Sequence, residues 1–188
     1  MQFTIINGVK YTRNTDDKGV FSLNLGLNPN LYTTTLKFMG DSNYINSSKE
    51  IMVDIKSTID SNGFIKYYKN ASQFHATILD YAGNLVINTE IVMNINGVFY
   101  KRVTDSRGVV SLNINFYPGN YILTLYNPIT DETRGLNITV LSIIVDNHDL
   151  VKYYRNASRY SVKLLDGKGS LLSDAHIIFN INGIFYER

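Results

Sequence analysis

No cysteine and no tryptophan occur among the 188 residues, and proline appears only three times. Without thiols the chain can form neither disulfides nor thiolate metal centres, and its redox compartment is left open. Charge of one sign is also missing, since 18 Lys and Arg against 16 Asp and Glu leave a net +2. The basic residues are dispersed, so nothing marks a nucleic-acid track or a cationic face for an anionic membrane. No apolar run approaches the length that spans a bilayer, and no basic stretch leads into an apolar one at the N-terminus. This segment is expected to make no membrane contact, and an export signal or anchor is expected outside it.

What is present favours strands. Hydrophobic residues make up 44% of the chain, and the 14 Tyr and 9 Phe suit a pleated, half-buried surface. The organising stretch is Asn94-Ile95-Asn96-Gly97-Val98-Phe99-Tyr100, which returns as Asn180-Ile181-Asn182-Gly183-Ile184-Phe185-Tyr186 and, more loosely, as Ile5-Ile6-Asn7-Gly8-Val9-Lys10-Tyr11. Asn-Gly between short apolar runs predicts a two-residue hairpin turn, because both turn positions need positive φ. Three copies a domain's length apart predict an array of similar β domains.

Along the chain, the expected domains are 1–59 (the C-terminal part of a repeat), 60–145 (a complete repeat) and 146–188 (the N-terminal part of a third). In the first, Val20 to Leu25 alternates as a half-buried strand, and Tyr32, Thr34, Leu36 and Phe38 share one face of the next. In the second, the inward sets are Phe74, Ala76, Ile78; Ile91, Met93, Ile95; Val110, Leu112, Ile114, Phe116; Tyr121, Leu123, Leu125; and Leu136, Ile138, Val140. About seven short strands with frequent turn signals predict an antiparallel β-sandwich. The third copies the start of the second, Lys152-Tyr153-Tyr154-Arg155-Asn156-Ala157-Ser158 matching Lys66-Tyr67-Tyr68-Lys69-Asn70-Ala71-Ser72. Polar runs at Asp60 to Gly63 and Val145 to Asp149 read as linkers. The open sheet edges of the two partial repeats are expected to pair with each other or with another chain.

Candidate chemistry is sparse. His75, His148 and His176 lack metal-ligand spacing. Asp16-Asp17-Lys18-Gly19 could offer oxygen atoms to Ca²⁺, but Asp-x-x-Gly is also plain turn chemistry, and only Asp105 precedes Gly108 in the matching turn. Neither a metal nor another cofactor is expected. Sequons for N-glycosylation stand at Asn46, Asn70, Asn137 and Asn156, the second and fourth equivalent. Lys66 and Asn137 sit on first and last strands, as an amide crosslink would require, with no acidic residue beside them. The pairs Tyr67-Tyr68 and Tyr153-Tyr154 are candidates for an exposed binding surface, or for rings that pack under the sandwich and over a domain junction.

The stretches Asp166 to Arg188 and Lys66 to Leu125, above all the turns Asp105-Ser106-Arg107-Gly108 and Pro118-Gly119-Asn120-Tyr121, and the loop Gly40-Asp41-Ser42-Asn43-Tyr44 followed by Ser47-Ser48, resemble the immunoglobulin-like repeats of large adhesin-like surface proteins of methanogenic archaea. That family is related to the immunoglobulin-like domains of bacterial invasins and intimins. The resemblance implies tandem immunoglobulin-like antiparallel β-sandwiches, display at the extracellular cell surface, and no catalytic residues. The expected function is a non-catalytic stalk or spacer, with cell adhesion to a glycan or protein of another cell and with neighbouring repeats of the same chain as partners. The alternatives are a carbohydrate- or protein-binding module, or an accessory domain of a secreted hydrolase. No nucleophile, base and orienting group can be assembled from the repeated positions, so enzymatic activity is not expected.

Overall fold

Alternation between apolar and polar residues becomes alternation between the two faces of a strand throughout the molecule. The computed structural model describes residues 2–6 and 8–187, the first four of these in backbone only. It is all-β and largely antiparallel, and it divides into two compact units, Met1–Ser57 and Thr58–Arg188.

In the first unit, β1 (Gln2–Ile6), β2 (Val9–Arg13), β3 (Asn30–Phe38) and β4 (Ser47–Ile55) form one antiparallel sheet in the order β2-β1-β3-β4. Ile6 and Thr34 face each other across the β1–β3 ladder and are buried, with Tyr32, Leu36 and Phe38 half-buried on the Thr34 face.

The second unit contains the sandwich. Its strands are β5 (Ile59–Asp60), β6 (Phe64–Tyr67), β7 (Gln73–Ile78), β8 (Glu90–Ile95), β9 (Val98–Val103), β10 (Val109–Asn113), β11 (Gly119–Asn127) and β12 (Glu132–Leu141). They form a three-stranded sheet, β10-β7-β5, and a five-stranded sheet, β6-β12-β11-β8-β9. Residues from both sheets meet in one core, including Phe74, Ile78, Val110 and Leu112 from one and Ile91, Met93, Leu123 and Ile138 from the other. Each fully buried large apolar side chain is worth roughly 1.5–3 kcal/mol, so this shared layer dominates the stability of the sandwich. The inward sets expected from alternation are the observed core, except that Phe116 and Tyr121 pack at its margin, 5.0 Å apart between ring centroids. Further along, β13 (Ile144–Val145) pairs with β14 (Lys163–Leu164), and β15 (Ile178–Ile181) with β16 (Ile184–Glu187).

Ile59 is fully buried, and β5 pairs with β7, so Asp60 to Gly63 does not join two domains as expected. It carries the chain from one sheet to the other, where β6 runs parallel to β12. Gly63 permits the crossing: its φ is +84°, and a Cβ there would lie 2.5 Å from the Asn137 carbonyl oxygen.

The Asn-Gly turns form as expected. Asn96 and Gly97 have φ of 56° and 77°, and Asn182 and Gly183 have 50° and 83°, joining β8 to β9 and β15 to β16. In the first copy, Gly8 has φ of 76° between β1 and β2, while Asn7 lies outside the described residues.

Val20 to Leu25 corrects the sequence reading. It alternates in exposure but joins no ladder. The matching segment of the second unit, β10, draws its ladder from β7 alone, and among the described residues of the first unit no strand stands in the place of β7. Lys152 to Asn156 likewise forms no strand, where its counterpart β6 relies on β12.

A feature shared by the two units escaped the sequence reading. Tyr121, near the start of β11, donates its hydroxyl hydrogen to the Tyr117 carbonyl at 2.8 Å, and Tyr32, near the start of β3, does the same to Asn28 at 2.8 Å. This is the geometry of a tyrosine corner, which pins the turn entering a strand to the strand itself. Tyr121→Phe is expected to lower unfolding stability by about 1 kcal/mol, measurable as a reduced urea midpoint at unchanged slope.

Candidate functional site

One turn recurs four times and is built the same way each time. Asp16, Asp80, Asp105 and Asp166 each accept, on Oδ1, the backbone N–H groups two and four residues on, at 2.8–2.9 Å. The glycine at the fourth position, Gly19, Gly83, Gly108 or Gly169, adopts positive φ and donates its N–H back to the Asp carbonyl at 3.0–3.1 Å. In the Asp16 turn, therefore, Oδ1 serves the turn's own backbone, as Asp-x-x-Gly turn chemistry requires. Among the described residues no three His, Asp or Glu side chains group as a metal would require.

These bonds favour the carboxylate and hold three of the acids below the usual Asp range. The leading cause is the Asn84 side chain for Asp80, the Val109 N–H for Asp105 and the Ser170 N–H for Asp166.

The second recurring element is the loop after β6. Lys69 turns it with φ of 64°, Asn70 donates its N–H to the Tyr67 carbonyl at 3.1 Å, and Asn70 Oδ1 accepts the Ser72 N–H at 2.7 Å. Beneath it, Lys66 is buried and donates from Nζ to the carbonyls of Ser72 at 3.1 Å and Ile114 at 3.0 Å. Burial lowers the Lys66 pKa. Asn137 is exposed on the neighbouring strand, and the Lys66 amine is occupied elsewhere, so the residues for an amide crosslink are not brought together.

The candidate binding tyrosines separate by copy. Tyr68 stacks on Tyr117, with centroids 5.7 Å apart, and packs against the core. Tyr67 lies beneath the Asp166 turn, where a Cβ on Gly169 would come within 2.9 Å of its Cζ. Tyr153 and Tyr154 are each 89% exposed, with the Arg155 guanidinium 5.2 Å from the Tyr154 ring centroid. Of the sequon residues, Asn46, Asn137 and Asn156 are exposed, whereas Asn70 is half-buried and donates from Nδ2 to the Gly167 carbonyl. His75 bonds the Ser111 hydroxyl at 2.8 Å, His176 lies 3.7 Å from Glu187, and both are exposed, as is His148.

Sequence reasoning missed a polar knot at one end of the sandwich. Asn127 is fully buried and donates from Nδ2 to the Leu79 carbonyl at 2.8 Å and to Thr58 Oγ1 at 3.0 Å. Thr58 in turn donates its N–H and its hydroxyl hydrogen to Glu132 Oε2, each at 2.6 Å. The signal was available: Asn127 continues the inward series Leu123, Leu125. This knot ties the start of the sandwich to the turn between β11 and β12.

No protein-family model and no curated protein matches this sequence. Solved structures do. One is the mixed-linkage glucan utilization locus protein SGBP-B of Bacteroides ovatus in complex with mixed-linkage heptasaccharide, at 13% identity and TM-score 0.33, covering 76% of this chain and 38% of that one. Another is a 1.5-MDa bacterial ice-binding adhesin, at 13% identity and TM-score 0.27, covering 75% and 52%. A third is the surface layer protein SbsC, domains 4–9, at 14% identity and TM-score 0.30, covering 85% and 30%. The chain thus spans 30% to 52% of the length of these structures, and likeness at these TM-scores carries no argument about its activity.

The lowered acids set an acid limit on stability. A carboxyl whose folded pKa is depressed stabilises fully above its unfolded value, about 3.9 for Asp, and ceases to do so as pH falls through the folded value. The thermal midpoint is therefore expected to hold between pH 7 and about pH 5 and to fall below about pH 4, with Asp105→Ala losing part of that dependence in a calorimetric pH series.

Proposed function

We propose that this chain is a non-catalytic, immunoglobulin-like repeat segment of a cell-surface adhesin-like protein, acting as a stalk or spacer that carries load between an anchor and a binding region. The observation that carries this reading is the parallel ladder of β6 on β12, with Phe64, Ile65, Lys66 and Tyr67 paired to Ile138, Thr139, Val140 and Leu141. β6 is the repeat's entry into the five-stranded sheet and β12 is its exit. Tension along the chain pulls these two strands in opposite directions parallel to their axes. All the bonds between them are then loaded together in shear, rather than one after another as in peeling. The Tyr68 N–H bond to Leu141 at 2.9 Å and the Lys66 amine bonded into the sandwich reinforce the same clamp.

The immunoglobulin-like assignment is supported by the split first strand, shared between sheets as β5 and β6, and by the tyrosine corner at β11. A second reading, in which the segment itself binds a glycan or protein of another cell, is favoured by the exposure of Tyr153 and Tyr154 beside Arg155.

The spacer reading is tested by pulling the sandwich along two axes, using introduced cysteines as handles, since the chain has none of its own. Handles at Asn62→Cys and Ser142→Cys load the β6–β12 pair in shear, and handles at Asn62→Cys and Thr133→Cys peel it. Single-molecule stretching is expected to give a clearly higher rupture force for the first pair. Equal forces along the two axes would remove the mechanical argument.

A further inference from the structure

We infer that the loop Tyr153–Ser158 is a preformed docking surface whose occupant is the Asp-Gly-x-Gly turn of a following repeat. The inference rests on the repeat reading above and names the partner and the joint. This chain already contains one filled copy. The turn Asp166-Gly167-Lys168-Gly169-Ser170 is seated on the loop Tyr67–Ser72, with the Gly167 carbonyl accepting the Asn70 side-chain amide and the Gly169 backbone lying against the Tyr67 ring.

The turn meets the loop through two glycines. At Gly169, φ is +87° and a Cβ would collide with the Tyr67 ring; at Gly167, a Cβ would approach Asn70 N and Cα at 3.3 Å. The seat is locked from outside by the β13–β14 pairing, by the Leu165 N–H bonded to the Ile143 carbonyl at 2.7 Å, and by the Lys163–Asp146 ion pair at 2.6 Å.

The loop at Tyr153–Ser158 is the same shape with nothing described seated on it. Arg155 has φ of 59° where Lys69 has 64°. Asn156 donates its N–H to the Tyr153 carbonyl at 3.0 Å, Asn156 Oδ1 accepts the Ser158 N–H at 2.8 Å, and Lys152 Nζ donates to the Ser158 carbonyl at 2.8 Å. Each bond repeats its counterpart in the filled loop, so the surface does not need an occupant to order it, and little ordering cost remains for binding. What differs is exposure: Tyr67 is half-buried under its turn, while Tyr153 is 89% exposed.

The occupant is selected by glycine content. The turn Asp80-Tyr81-Ala82-Gly83-Asn84 has the same backbone but carries Tyr81 at the position of Gly167, where even a Cβ is crowded. It is therefore the natural mismatched partner.

The test titrates the isotope-labelled full chain with a backbone-cyclised peptide of the sequence Leu165 to Leu171, to millimolar concentration, by amide chemical-shift mapping. Shifts confined to the amides of Tyr153–Ser158 are expected, with a matched cyclic peptide of Leu79 to Leu85 giving none. No shift in that loop, or equal shifts from both peptides, would overturn the proposal. A second arm probes the filled joint: Gly169→Leu is expected to raise hydrogen exchange across Tyr67–Ser72 about tenfold, while Gly83→Leu, with positive φ and open space at its Cβ, leaves it unchanged. Equal exchange in the two variants also counts against it. Failure of the spacer reading would appear in the pulling experiment and leave the peptide result untouched.

Discussion

The crossing at Gly63 is the constraint on which the sandwich depends. The first strand must serve both sheets, as β5 against β7 and as β6 against β12, and the chain can change sheets only where no Cβ meets the Asn137 carbonyl. Once it has crossed, Ile59 is buried under one sheet and Phe64 packs at the margin of the same core from the other. The core, the parallel ladder and the Lys66 bonds all follow from that single passage. A β-sheet edge left unpaired invites association, and here the crossing supplies the pairing of β12 on its outer side.

The polar elements divide into those that terminate strands and those that join segments. The four Asp-x-x-Gly turns are self-contained, because each aspartate satisfies its own backbone and needs nothing outside the turn. That autonomy lets the same turn serve as a strand connection at Asp105 and as a surface that packs on another loop at Asp166. The turn that packs on a loop carries Gly167 beside its aspartate, close against Asn70, where the strand connection carries Ser106.

Much of this was legible from the sequence. Period-two alternation marked the core of the sandwich almost residue by residue, and Asn-Gly located hairpins whose φ values agree with the turn type. What could not be read was whatever depends on a partner distant in sequence. Val20 to Leu25 has the pattern of a strand but lacks a ladder neighbour, and pattern alone does not supply one. Lys66 looks like an ordinary surface lysine until the Ile114 carbonyl, far along the chain, is seen to cap it. Asn127 and Tyr121 carried a local clue, one as a polar residue in an inward series and the other as a tyrosine following Pro-Gly. Of the candidate site, the matching of the two Tyr-Tyr loops was visible, whereas the turn that fills one of them was not.

The absence of cysteine has a consequence for how the sandwich closes again once it has been opened. With no thiol in the chain, no contact that closes it is a disulfide, so closure requires no oxidant and no covalent repair. A sandwich that has been opened is free to re-form through the same non-covalent contacts. Its unfolding and refolding therefore follow the same course in oxidising and in reducing surroundings.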